Sequence, residues 1–446
     1  MRWGVGREIV CSAALALAAC ARPSATAPIT LTFWALGHEG EVVQGLVPEF
    51  ERTHPGIRVH VEQIPFTAAH EKLLTAVVGR STPDVAQLGN TWIPEFALLH
   101  ALAPLDTLVA RSRGIDRHDY FDGLWRSNVI DDTTYGLPWY ADTRVLFYRS
   151  DLLADAGITR APRTWSEWRG ALQAVRARSH GHRYGIYLPV NEWPQPVILA
   201  LAAGAPMLRD SNQYGDFTDP RFQAAFAFYT SFFADSLAPA VSNTEVTNMY
   251  EAFAAGTFAM FISGPWDVGE CERRLPSSLN GRWSTAPMPA PDPVSGVAAT
   301  QGVLAPPSGD TPGASLAGGS TLVMFRGTPH AEAAWTLLQY LSEPAQQAAF
   351  YRLSEDLPAR RSAWRDAALR GNRYMDAFAR QLEVARPTPA VPEWDEITRL
   401  LTDQGEAVAR GRTSVPAALA TLDREVDDVL ERRRAMLRAE QTVAIR

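Results

Sequence analysis

Lysine is almost missing from this 446-residue chain: Lys72 is the only one, and arginine carries the rest of the positive charge. The formal net charge is −7 and there is no long Lys/Arg cluster, so the basic field that a nucleic-acid partner requires is absent. Cysteine is also scarce, with Cys11, Cys20 and Cys271 the three in the chain. The first two fall in the leader region, which leaves Cys271 without an intrachain partner. Nothing beside Cys271 suggests a base, so no catalytic thiol is expected. Enzyme signatures are missing too: there is no G-x-S-x-G elbow, phosphate loop, dinucleotide fingerprint or H-E-x-x-H. The nine histidines are scattered, "HGH" at 180–182 reads as a solvated loop, and no metal or cofactor is expected. None of this excludes a glycosidase, whose two carboxylates leave no linear signature.

The chain is longer than one hydrophobic core usually supports, and 46% apolar with 20% charged residues marks it as globular. The one long apolar run, Ile9 to Ala19, is too short for a comfortable membrane span and follows Arg2 and Arg7, as in a secretory signal. Its end, Leu17-Ala18-Ala19-Cys20, resembles the bacterial lipobox, which implies acylation of Cys20 and removal of residues 1–19; an ordinary signal peptide is the alternative. Several acyl chains on Cys20 would give a lasting anchor, and "ARPSATAP" reads as a short tether.

Beyond the tether, "ITLTFWAL" alternates as a strand, "EVVQGLVPEFERTHPG" carries one apolar helical face, and "IRVHVEQI", "TAAHEKLLTAVVGR" and "PDVAQL" continue strand, helix, strand. That order implies a parallel α/β sheet with ligand loops at the strands' carboxyl ends, at "WALGHEG" and "GNTW". From about Arg149 the helices lengthen. "TWSEWRGALQAVRAR" is capped by Thr164, Ala259–Ile262 reads as a short strand, "DVGECERRL" as helix, and Pro287–Gly319 as a Pro/Gly-rich passage broken by "GVLAP". "STLVMF" returns to a strand, residues 326–358 read as two helices, and the charged tail includes a helix opening on Ser414 and Pro416.

Rings sit beside polar groups at expected loops: Trp34 with Glu39, Trp92 with Asn90, Tyr140 with Asp142, Trp193 with Glu192, and Trp266 with Asp267. A sugar presents weakly apolar faces and a belt of hydroxyls, so rings and carboxylates together suit it. Each pair alone also fits a core or capping role: Trp34 follows a strand, and Asp267 fits a helix start.

The lipobox, "TPDVAQLGNTWIPEFALLHALAPLD", "YGLPWYADTRVLFYRSDLLADAGI", "TWSEW", "FAAGTFAMFISGPW" and "GGSTLVMF", in this order, resemble family 1 extracellular solute-binding proteins of bacterial ABC importers, closest to binders of maltose, trehalose and similar oligosaccharides. The resemblance implies an α/β, two-lobed periplasmic-binding-protein fold (type II), a monomer whose discontinuous lobes are joined by a hinge. Residues 1–19 are then the signal and 20–28 the lipidated Cys and tether. Residues 29–138 and 297–342 form lobe one, and 139–296 and 343–446 lobe two, with crossings near 139–142, 290–297 and 342–346. It implies ligand contacts from Glu39, Asn90, Thr91, Trp92, Tyr140, Asp142, Trp266, Gly318, Gly319 and Arg360 or Arg361; Trp193 is added from composition, and Arg144 is either a hinge ion pair or a contact. The implied role is to deliver a di- or oligosaccharide to an ABC permease. A glycerol phosphodiester importer, a secreted glycosidase and a polysaccharide adhesin are the alternatives.

Overall fold

The computed structural model describes residues 28–292 and 311–444, with side chains to residue 438. The expected signal, Cys20, nearly all of its tether and "GVLAP" lie outside the described residues. Alternation in "ITLTFWAL" produces the strand Ile29–Leu36, with Leu31 and Phe33 fully buried. It pairs in parallel with Ile57–Ile64 on one side and Val85–Gly89 on the other. Parallel neighbours need a crossover; the helix Val47–Thr53 joins the first pair, and Phe66–Gly79 carries the chain from Ile57–Ile64 past the central strand to Val85–Gly89. Gly318–Met324 then enters antiparallel between Val85–Gly89 and Gly136–Asp142, and the short strand Leu357–Pro358 completes six strands on the far edge.

One expected helix is broken. In place of a continuous segment from residue 41, the structure has a helix Gly37–Val42, a 3-10 turn Val43–Gly45 and a second helix Val47–Thr53. Pro48 lies in the first turn of that second helix, where its missing N–H does no harm; an uninterrupted helix would drive its ring into the preceding turn.

The second sheet has four strands, in the order Trp283–Ala286, Val145–Arg149, Phe258–Ser263 and Tyr184–Tyr187. Phe147 stacks on Phe261 at 4.7 Å and Trp283 on Tyr374 at 3.9 Å. Such ring pairs contribute about 0.5–1.5 kcal/mol each beyond the area they bury. Helices Trp165–Arg178, Pro220–Ala234, Trp394–Ala409 and Val415–Val429 contribute to its apolar core. The first and last start as expected: Thr164 Oγ1 accepts from the Glu167 N–H at 3.2 Å, and Ser414 Oγ from the Ala417 N–H at 3.4 Å.

The chain passes between the sheets at places shifted from those expected. Strand Gly136–Asp142 lies wholly in the first sheet, so the first passage is at Thr143–Arg144, not within 139–142. The second expected passage, 290–297, runs into residues that are not described. Gly313 still donates to the Met288 carbonyl at 2.9 Å, however, which puts the return nearer Ser315–Ala317. The third is not at 342–346: helix Pro344–Ser354 packs on the first lobe, with Phe350 4.3 Å from Trp139, and Leu357 pairs with Ala141. Contact with the second sheet comes with helix Met375–Leu382, whose Phe378 lies 6.3 Å from Phe147. Helical periodicity says which face is apolar but not which sheet it will cover, and this is why the boundary moved.

The passages are tied together. Ser315 Oγ donates to the Arg144 carbonyl at 2.8 Å, Arg386 N–H to the Ser315 carbonyl at 2.9 Å, and Ala317 N–H to the Arg386 carbonyl at 2.8 Å. The lobes also meet through Arg273 and Glu355, an exposed ion pair at 2.7 Å.

Arg360 and Arg361, expected at the ligand, are both ion-paired to protein carboxylates, Arg360 buried and Arg361 partly exposed. Arg360 is 7% exposed; it donates to Asp119 at 2.7 Å and to the Gly114 and Ser342 carbonyls at 2.9 and 3.0 Å. Arg361 pairs with Glu383 at 2.8 Å and reaches the His118 and Tyr120 carbonyls. A buried guanidinium must be paired, and these partners are all protein groups. Burial would raise the Asp119 carboxyl, but hydrogen bonds from Ser362 and Arg360 outweigh it and hold the group below its ordinary value. A carboxyl depressed in the folded state adds stability above its unfolded pKa and loses it as pH falls through the folded one. Asp119→Ala leaves Arg360 without its counter-charge. Urea denaturation should show a loss of about 3 kcal/mol at pH 7 that narrows toward pH 3, with ligand affinity unchanged.

Candidate functional site

The strand Gly136–Asp142 ends at the gap between the lobes, and its register decides what gathers there. Tyr140 and Asp142, two residues apart, share one face. On the neighbouring strand, Ser320 is opposite Tyr140 and Gly318 is opposite Asp142. Gly319 has φ +127°, and a Cβ there would overlap the Tyr140 carbonyl oxygen, so this close approach requires glycine. The sequence reading expected both glycines as a close backbone approach; in the structure they bring two strands together beneath the site.

The Tyr140 hydroxyl is fully engaged. It donates to Glu39 Oε1 at 2.8 Å and accepts from Ser320 Oγ at 2.9 Å and Gln87 Nε2 at 3.3 Å. Burial, with the nearby Asp356 and Glu39 carboxyls, pushes its pKa well above the ordinary phenol value, so it remains a neutral donor. Tyr140 therefore fixes the Glu39 carboxylate at the cleft floor. Glu39 itself lies in the first turn of the helix Gly37–Val42, where a loop was expected.

Asp142 accepts from Arg144 at 2.8 Å, and the same guanidinium lies 4.4 Å from the Trp266 ring. Arg144 thus links a lobe-one carboxylate to a lobe-two ring across the passage. Burial raises the Asp142 carboxyl more than Arg144 lowers it. Trp266 opens the helix Trp266–Arg274 and is 41% exposed, unusual for an indole. Its neighbour Asp267 is buried and accepts from the Tyr250 hydroxyl at 2.5 Å, so it braces the helix start.

Trp193 and Trp266 line one depression of about 440 Å³ on lobe two, together with Arg144, Glu192, Asn243 and Tyr250. On lobe one, Asn90 donates to the Ala317 carbonyl at 2.7 Å, tying the loop to the return strand, and Thr91 is half-buried. The Trp92 ring is 5.1 Å from His70 and 5.8 Å from Phe66. His70 bonds Glu95 at 2.6 Å. That bond, with smaller contributions from Glu95, Asp395 and Glu71 charges, raises the imidazole's pKa.

Two residues at this cleft were missed in the sequence. Phe66 is 53% exposed at the start of a helix, and only its position after a strand hinted at it. Asp356 is flanked by "SE" and "LPARR", with no periodic signal, and it interacts electrostatically with Glu39 and Asp142. No cluster of His, Cys, Asp and Glu suited to a metal ion occurs among the described residues. Cys271 is a buried free thiol on the helix expected for it.

Known proteins resemble this chain over most of its length. A family profile for bacterial extracellular solute-binding proteins matches residues 34–348. The solved structure of the sugar-binding protein MalE from Xanthomonas citri is 44% identical, with a TM-score of 0.85 over 92% of this chain and 99% of that one. The diacetylchitobiose binding protein DasA of Streptomyces coelicolor is 27% identical over 401 residues, 87% of each chain. A lipoprotein of Streptomyces antibioticus is 26% identical over 405 residues, 86% of this chain and 83% of its own. The cyclic alpha-maltosyl-1,6-maltose binding protein of Arthrobacter globiformis, at 20% identity and a TM-score of 0.75 over 91% of this chain and all of that one, shares the two-lobed fold. The Xanthomonas, Arthrobacter and Streptomyces coelicolor relatives are binding proteins, and the chain belongs to the bacterial extracellular solute-binding protein family.

Proposed function

We propose that the chain is the substrate-binding component of an ABC importer, capturing a maltose- or trehalose-like di- or oligosaccharide between its lobes for a membrane permease. The observation that carries this reading is the meeting of an exposed indole, Trp266, with a cleft floor of carboxylates, Glu39 and Asp142, joined through Arg144. A pyranose presents a C–H face to the ring and hydroxyl donors to the acids, and charge-assisted hydrogen bonds are the stronger kind. Trp92 and Trp193 extend the ring surface on the two lobes, and Gly318 leaves room beside Asp142. The likeness to a sugar-binding MalE supports the ligand class.

Ligand contacts shared between the lobes would favour the closed arrangement, since only that form makes both sets. The acidic floor disfavours a glycerol phosphodiester, whose phosphate would meet Glu39 and Asp142. For export, the reading keeps Cys20 as the lipid-bearing residue at the cell surface or in the periplasm. No described helix is long and apolar enough to cross a membrane.

A thermal-shift panel on residues 21–446 tests the ligand class. Maltose or trehalose at 100-fold its Kd should add about 2.7 kcal/mol of apparent stability; a shift with glycerophosphocholine alone would overturn the sugar assignment. Trp266→Ala should weaken sugar binding about tenfold with little change in Tm, because the ring is largely outside the core; an unchanged titration removes Trp266 from the site. Cys20→Ser should abolish palmitate labelling and membrane extraction, and persistent label would refute the anchor.

A further inference from the structure

The strand Leu357–Pro358 runs antiparallel to Gly136–Asp142, with Leu357 opposite Ala141 and Pro358 opposite Tyr140. One step further in the same register, Asp356 comes opposite Asp142. Directly opposed residues share a sheet face, with Cβ atoms about 5 Å apart. Gly318 stands opposite Asp142 on the other side, so the row Asp356, Asp142, Gly318 crosses three strands at the cleft floor. Its last member has no side chain, which leaves the row open to a ligand.

The groups facing Asp356 are almost all acidic. Glu39 comes from the helix Gly37–Val42, Tyr140 and Asp142 from the central strand, and Glu355 from the preceding residue. Among the described residues, the cations nearest these acids are committed elsewhere: Arg144 pairs with Asp142 and Arg273 with Glu355. A hydrogen bond with the Ser354 side chain favours the charged form of Asp356, but burial and the neighbouring acids outweigh it. Three carboxyls with one guanidinium cannot all carry charge cheaply in a partly buried site. Burial, followed by Glu39, holds the Asp356 proton well above the usual carboxylate range.

This matters for a sugar because its hydroxyls can donate, whereas its ring and glycosidic oxygens only accept. The floor is rich in acceptors: Glu39 and Asp142 take donors, and the Tyr140 hydroxyl donates its hydrogen bond to Glu39. We propose that Asp356 is a ligand-contacting, specificity-determining residue, presenting a hydrogen-bond donor to an acceptor oxygen of the bound sugar beside the acceptors Glu39 and Asp142. This rests on the sugar reading above, and it adds that the ligand must place an acceptor oxygen next to its hydroxyl donors. An anionic ligand is excluded by the same acids.

Calorimetric titration with maltose from pH 5.5 to 8.5, on wild type, Asp356→Asn and Asp356→Leu, tests it. Wild-type affinity should fall about tenfold toward high pH as the donor is lost. Asp356→Asn, which keeps an N–H donor, should hold the low-pH affinity and show less of the high-pH decline than wild type, and Asp356→Leu should be weaker by about tenfold at low pH. Maltose binding that is the same in Asp356→Leu as in wild type would overturn the inference and leave the sugar reading standing. If no sugar binds wild type, the sugar reading fails by itself. The infrared difference spectrum of wild type minus Asp356→Asn at pH 7 then still decides: a carboxylic-acid carbonyl band is expected, and a carboxylate band in its place overturns the proposal.

Discussion

The pairing of Gly318–Met324 with Gly136–Asp142 is the constraint from which the rest of this structure follows. It brings a segment from late in the chain back into the first sheet after an excursion through the second. It also places Ser320 under the Tyr140 hydroxyl and Gly318 beside Asp142. The bulge between Ser320 and Thr321 and the positive φ of Gly319 let the backbones approach where a side chain would keep them apart. Because the lobes are discontinuous in sequence, neither exists without this return. The cleft is therefore a product of folding topology, not of a local motif.

Electrostatics at the floor follow from that geometry. Tyr140 donates a hydrogen bond to Glu39, Arg144 pairs with Asp142 while lying over Trp266, and Asp356 is left among acids. Each group restricts what its neighbour can offer, and the result is a surface that accepts more hydrogen bonds than it donates. Ligands with many hydroxyls complement it and anions do not. Away from the floor, Arg360 is tied to Asp119 and backbone carbonyls inside lobe one, and Arg361 to Glu383 at the end of the helix Met375–Leu382.

Much of this was legible in the sequence. Alternation in "ITLTFWAL" and "IRVHVEQI" identified parallel strands, and Thr164 and Ser414 marked helix starts, because the forces involved act over a few residues. Tyr140 and Asp142 stand out as a ring beside a carboxylate that matches the Y-x-D of the family resembled, and the structure sets them on one face of a strand. The Arg360 ion pair is not legible locally because its partner Asp119 is 241 positions away, and nothing nearby in sequence separates a buried ion pair from a ligand arginine. Asp356 was invisible for a similar reason: a two-residue strand has no period, and only its register against Ala141 and Tyr140 gives it meaning. The third passage between lobes was displaced because the amphipathic helix Pro344–Ser354 could have covered either sheet.

The central claim is that a sugar is held between two lobes that close on it. Small-angle X-ray scattering of residues 21–446, recorded during titration with maltose and with trehalose, tests this most directly. The account predicts a fall in radius of gyration that saturates at one sugar per chain. An unchanged radius at saturating sugar, with binding confirmed in the same sample by calorimetry, would contradict it.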